Sequence, residues 1–243
     1  MVLITLVIGA IAFFIAFMFT FKPASRIAAL LISGIVLIGS IVLMVANYSN
    51  HFGMEKKTVT TSTEIYSASN SDTMPMMLYK KVGTSGKNNV YVYNLKSTQK
   101  TPNHTKADEY TSNKVKTTSD GTTATMQTKT TRWVWKSDFY KNLYMWSGMN
   151  NTIVKRVNTF TLPKTRVTLS TTQDAALKKE MASMTTEQQA ASKTAGTQYV
   201  TQAVTAAMAK NPTMSTTEQG QIAKQAQAEY SSQVLKQAIA SIK

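Results

Sequence analysis

His51 and His104 are the two side chains best suited to metal binding or proton transfer near neutral pH. His51 follows a long apolar run, and His104 lies in Pro102-Asn103-His104-Thr105. Neither has a second histidine and a carboxylate at ligand spacing, so both are expected to be solvated. Acidic residues number only 12. Asp108 and Glu109 are adjacent, and neighbours along a strand point to opposite faces, whereas paired-carboxylate hydrolysis needs both groups in one site. Asp120 belongs to an Asp-Gly turn, and Asp138 stands among aromatics without a visible partner. There is no G-x-S-x-G elbow and no phosphate-binding loop. Gly83-Thr84-Ser85-Gly86-Lys87 lacks the spacing of such a loop and leads into a strand pattern instead of a helix. With no cysteine, disulfides and thiolate metal sites are excluded. No catalytic, cofactor-binding or metal residue is assigned. The expectation is a protein that is not an enzyme and needs no cofactor, with a hydrolase of unrecognised site as the weaker alternative.

Charge and aromatic residues offer binding chemistry instead. Residues 51–170 carry 18 basic and 7 acidic side chains, net +11. Lys80, Lys81, Lys87, Lys136 and Lys141 are candidates for a face that holds an anionic ligand. Between Arg132 and Trp146 lie all three tryptophans, Trp133, Trp135 and Trp146, interleaved with lysine and tyrosine. Such a segment can grip polymers or anchor a domain at the lipid headgroup layer. The plainer reading, and the favoured one, is that these rings form the core of a sheet. Anionic wall polymer and lipid headgroups both fit a basic surface. Nucleic acid is disfavoured, because arginine is scarce (four, against 23 lysines) and no nucleic-acid motif is present. Leu162-Pro163-Lys164-Thr165 has the form of a cell-wall sorting signal, but Arg166 follows where that signal has glycine. Pro163 is read as a strand break.

These groups must be positioned by three kinds of element. Val2–Phe21 and Ile27–Ala46 are each 20 residues without a charge, enough at ~1.5 Å per residue to cross a bilayer core of ~30 Å. A cleaved signal peptide is the competing reading for the first span. No basic residue precedes Val2, and the run exceeds the ~7–15 residues of a signal core. Lys22, Pro23 and Arg26 form the turn between the spans and mark it as cytoplasmic, with both chain ends outside; Lys56 and Lys57 beyond the second span match its two charges but count for less, because long domains translocate largely regardless of charge. Small residues (Gly9, Ala12, Ala16, Ala29, Ser33, Gly34 and Gly39) suit close helix packing, either of the two spans together or against a partner's helices.

Beyond the spans, residues 51–170 read as an antiparallel β domain, a sheet or sandwich. One hairpin is expected from 76–82 to 90–95, and another joins 114–118 to 122–126 across Asp120-Gly121. Further strands are expected near 130–136, 143–146, 152–160 and 166–170. Residues 171–243 are rich in alanine and glutamine and read as amphipathic helices with a 31-residue repeat. Thr185-Thr186-Glu187-Gln188 recurs as Thr216-Thr217-Glu218-Gln219, and Tyr199 recurs as Tyr230. Each Thr-x-x-Gln has the form of a capping box. A shorter helix is expected over 173–183. The fold class is thus a membrane α-hairpin (1–50), a basic β domain (51–170) and a helical extension (171–243).

The paired apolar spans around Lys22–Arg26, and Tyr79-Lys80-Lys81-Val82-Gly83-Thr84-Ser85-Gly86-Lys87 before Val90–Tyr93, resemble a family of uncharacterised two-pass membrane proteins of lactic acid bacteria. That family is known only as a domain of unknown function. The resemblance covers residues 1–170 and implies a bacterial plasma-membrane setting, but no activity. The expected role is a membrane-anchored accessory protein with its β domain outside, docked on a larger membrane protein such as a transporter. The alternative is an envelope binding module.

Overall fold

The computed structural model describes residues 1–20, 22–68, 76–83, 88–119 and 123–241. Phe21, Lys87, Asp120 and Gly121 lie outside the described residues.

Helix α1 covers Val2–Phe19 and α2 covers Pro23–Asn50, both long and apolar enough to cross a membrane. Pro23 opens α2, where its missing N–H removes no helical bond. Each helix buries one residue in seven: Val2, Gly9 and Ala16 on α1, and Ser33, Ser40 and Asn47 on α2. That period is the seam of a two-helix coil, built here from small residues so that the backbones approach closely. A Cβ on Gly9 would sit 3.2 Å from the backbone nitrogen of Leu37. Thr5 Oγ1 and Ser40 Oγ meet at 3.1 Å across the seam. Of the expected packing residues, Gly9, Ala16 and Ser33 line it, Ala29 and Gly34 border it, and Ala12 and Gly39 remain exposed.

Among the described residues eight strands follow: β1 Met54–Ile65, β2 Met76–Val82, β3 Asn88–Tyr93, β4 Asn103–His104, β5 Thr111–Thr118, β6 Ala124–Trp135, β7 Ile153–Pro163 and β8 Val167–Ser170. One four-stranded sheet has the order β1-β6-β7-β5, the other β4-β3-β2-β8. The expected β2–β3 hairpin is present, with Leu78 opposite Val92 and Val82 opposite Asn88. The second sheet is mixed, because β8 runs parallel to β2.

Two expectations are corrected. The segments 114–118 and 122–126 do not form a neighbouring pair, since β7 lies between β5 and β6. A line of side-chain bonds accounts for that order. Thr128 on β6 donates to Asn158 Oδ1, and Asn158 on β7 donates to Asn113 Oδ1 on β5, both at 2.8 Å. Asn158 is buried, so its amide needs both partners, and the observed order supplies them. Residues 143–146 are not a strand. Asp138–Leu143 form helix α3, with Asp138 in its first turn and Lys141 in its last, charges that match the helix dipole.

Helices α4 Thr171–Ser183, α5 Thr186–Lys210 and α6 Thr216–Ser241 complete the chain. Ser170/Gln173 and Thr185/Gln188 form capping boxes. The box expected at Thr216/Gln219 lies one residue earlier. Ser215 and Glu218 cap each other, with the Glu218 carboxylate accepting from the Ser215 N–H and hydroxyl at 2.8 Å. A carboxylate is the stronger acceptor at the positive helix end, and it sets the start. Along the repeat, Tyr199 and Tyr230 meet at 5.6 Å, and Gly196 lies against the Tyr230 ring.

Two compact units result, and they cut across the linear order. The first comprises Met1–Val59 and Thr130–Arg156, the second Thr60–Lys129 and Val157–Lys243. The second unit has two apolar clusters. Ile65, Met77, Tyr91, Ala124, Phe160 and Leu162 form one, fed by strands of both sheets. Met76, Val167, Leu169, Leu177 and Leu235 form the other, which fastens α4 and α6 to β2 and β8.

Candidate functional site

In the first unit, residues 130–156 pack at the end of the apolar hairpin where α1 begins and α2 ends. The α2 exit explains why. His51 adopts a left-handed conformation (φ 53°), and the Phe52 amide donates back to the Ala46 carbonyl at 3.2 Å. Asn47, 1 % exposed, donates to the Phe52 carbonyl at 2.9 Å. Gly53 follows at φ +83°, and a Cβ there would run into the Tyr140 ring. The chain thus turns sharply and enters β1.

The tryptophan segment surrounds this turn. The His51 ring stacks on Trp133 with centroids 4.1 Å apart, and the Lys56 ammonium lies 5.0 Å from the Trp133 centroid. His51 is therefore half-buried against an indole, not solvated as expected, because the turn delivers it onto that ring. Trp135 stacks on Tyr144 at 5.7 Å. Tyr144 is buried and donates its hydroxyl to the Leu43 carbonyl of α2 at 3.3 Å, and burial raises its pKa. The Met1 amino group donates to the Asn142 and Leu143 carbonyls at 2.9 Å, at the negative end of α3.

Around this collar, Tyr48, Phe52, Phe139, Met145 and Trp146 remain exposed. Residues 51–59 and 130–156 together carry 7 basic and 2 acidic side chains, so the collar is positive. Apolar rings ringed by lysine at the end of two apolar helices match the composition of a membrane–water interface. Trp133 and Trp135 are half-buried on β6 and Trp146 is exposed; the apolar clusters of the second unit contain none of them. A small cleft of about 200 Å3 lies between Met1, Met44, Tyr48 and Trp146.

The other candidates are dispersed. Lys136 and Lys141 are exposed in the collar unit, whereas Lys80 and Lys81 are exposed in the second unit. Lys80 and Lys81 are consecutive on β2 and so point to opposite faces. Lys22 and Arg26 lie at the α1–α2 turn, with the Arg26 guanidinium 5.2 Å from the Phe17 centroid. His104 is exposed, and Asp108 and Glu109 sit in an exposed loop before β5. Among the described residues no three histidines, cysteines or acids cluster as a metal site. The sequence reading missed the collar as a unit. Its one signal was the concentration of rings and lysines in 132–146.

Together these elements define a protein with two N-terminal apolar helices, a mixed-sheet region and C-terminal helices. The family model described as "Domain of unknown function (DUF4811)" matches residues 22–177, and the chain belongs to that family. The match runs from the α1–α2 turn to Leu177, the α4 residue that anchors the second cluster, and leaves α5 and α6 outside. No curated protein and no solved structure matches the chain.

Proposed function

We propose that this protein is a non-enzymatic, two-pass anchor of the bacterial plasma membrane that seats a basic region on the outer headgroup layer, where it engages anionic envelope components. The observation that carries this reading is the collar. Trp133, Trp135, Tyr144 and Trp146 belong to the same compact unit as the apolar hairpin, with lysines beside them. Indole and phenol rings favour the interface, and lysines favour anionic headgroups. The basic Lys22–Arg26 turn supports a cytoplasmic hairpin tip. Arg132, Lys136 and Lys141 are distant in sequence from either span, and charges in a long translocated domain weigh little in orientation.

A second reading, docking on a larger membrane protein such as a transporter, draws on Gly39 and Ala12. Both are small, exposed residues that the α1–α2 seam does not use, and a Cβ on Gly39 would meet nothing within 4 Å.

Protease treatment of intact cells tests the first reading: cleavage of residues 60–129 without lysis is expected. Protection in intact cells, with cleavage only after lysis, overturns the outward orientation. Crosslinked co-purification in mild detergent separates the readings, since a stoichiometric membrane partner favours the second.

A further inference from the structure

The second unit contains a cleft of about 870 Å3 between the β7–β8 turn and one face of α6. Pro163 ends β7, and the Arg166 amide returns to its carbonyl at 2.9 Å, so Lys164, Thr165 and Arg166 are held at the mouth. The α6 wall presents Lys224, Ser232 and Lys236 with glutamines between them. Among the described residues four cations line this cleft, and the carboxylate of Glu229 there already accepts from Gln225 at 3.0 Å. Two polar atoms here are buried without a hydrogen-bond partner, Arg166 Nε and Ser232 Oγ. Among the described residues, the Arg166 guanidinium donates through Nη1 to the Ile65 carbonyl at 3.2 Å. Buried polar atoms are nearly always satisfied, and the half-buried Arg166 guanidinium is suited to an anion. With four cations beside these two unpartnered atoms, the cleft favours an occupant with anionic acceptor oxygens.

We infer that this cleft binds a phosphodiester-linked polyol chain, with Arg166, Lys164, Lys224 and Lys236 on the phosphates and Ser232 and the glutamines on the hydroxyls. From Lys224 to Lys236 the helix face runs roughly 18 Å at ~1.5 Å per residue, too long for one phosphate and suited to several repeats. Among the described residues no aromatic lines the cleft, and these offer no surface on which nucleobases could stack. One wall lies inside the family match, and the other is α6, outside it. The site would thus belong to chains that carry this extension. The inference rests on the envelope reading only for the choice of polymer.

The test uses the full chain in nanodiscs of zwitterionic lipid and a labelled poly(glycerol phosphate) oligomer. Binding is expected, with at least a tenfold loss in Arg166→Gln and a weaker, less salt-sensitive interaction in Lys224→Gln/Lys236→Gln. The second variant changes surface lysines and guards against misfolding of the first. Lys193→Gln/Lys210→Gln, at two exposed α5 lysines outside the cleft, is expected to bind the oligomer as the parent does. Equal binding by the parent and both cleft variants overturns the site. So does no preference over neutral dextran, tighter binding of polyuridylate, or binding confined to phosphatidylglycerol vesicles. Failure here leaves the protease result untouched, and an inward orientation in cells would leave the oligomer titration readable.

Discussion

Gly53 shows how much one residue can decide. Its φ of +83° lies in a region that L side chains enter at a cost, and the Tyr140 ring occupies the space a Cβ would need. Gly53→Ala is expected to destabilise the collar unit by about 1–3 kcal/mol, a sum of backbone strain and overpacking. Thermal unfolding followed by tryptophan emission reads this directly, because Trp133 and Trp135 are in that unit. An unchanged midpoint would show that the α2 exit tolerates another path. Asn47→Ala acts on the same turn by a different route, leaving the buried end of α2 without its bond to the Phe52 carbonyl. A loss of about 1–3 kcal/mol is expected in the same assay. Trp133 was legible as a ring near lysines, but its stacking on His51 was not, since that contact joins residues 82 positions apart.

At the scale of elements, the seven-residue seam of α1 and α2 is the most direct prediction. Because the chain has no cysteine, Thr5→Cys/Ser40→Cys gives a clean crosslinking pair at positions whose hydroxyls meet at 3.1 Å. Efficient disulfide formation is expected, and it should fall sharply when Gly9→Leu forces the backbones apart. Helix α6 carries a pH prediction. The hydrogen bonds from the Ser215 N–H and hydroxyl hold the Glu218 carboxyl below its ordinary value. A depressed folded-state pKa stabilises the cap above the unfolded value, about 4.3, and that contribution is lost as pH falls through the lower folded value. Protection of the first-turn amides of α6, measured relative to their intrinsic exchange rates, should therefore fall below about pH 4. It should be insensitive to this titration in Glu218→Gln. The capping boxes of α4 and α5 use neutral glutamine and should not respond.

At the scale of the molecule, the chain returns on itself: residues 130–156 join the N-terminal helices, although more than seventy residues separate them from α2. If the collar seats on the headgroup layer, Phe139→Ala/Trp146→Ala should lower protection of Trp133 and Trp135 from an aqueous quencher in anionic liposomes. Equal quenching in parent and variant would place the collar away from lipid. In the second unit, α4 and α6 close over β2 and β8 through Leu177 and Leu235. The helical extension is thereby part of the core there and not a free arm. Leu235→Ala should destabilise that unit by roughly 2–5 kcal/mol, measured as a shift in denaturant midpoint.

The sequence by itself determined the two apolar helices, the β2–β3 hairpin, the helical end and the place of Pro163 as a strand terminus. Each depends on local chemistry: uninterrupted apolar length, alternation around glycine, capping residues beside a helical period, and a missing N–H. Only the tertiary structure decided that β7 separates β5 from β6, because the buried amide of Asn158 bonds to both neighbours and neither partner is near it in sequence. The same holds for the candidate sites. Lysine and tryptophan content marked residues 132–146 as chemically active. Their assembly at the end of the hairpin depended on long-range contacts of His51, Asn47 and Gly53. Arg166 carried no signal at all beyond following a proline turn. Its half-buried guanidinium, bonded to the Ile65 carbonyl, shares a cleft with α6 only in the folded chain.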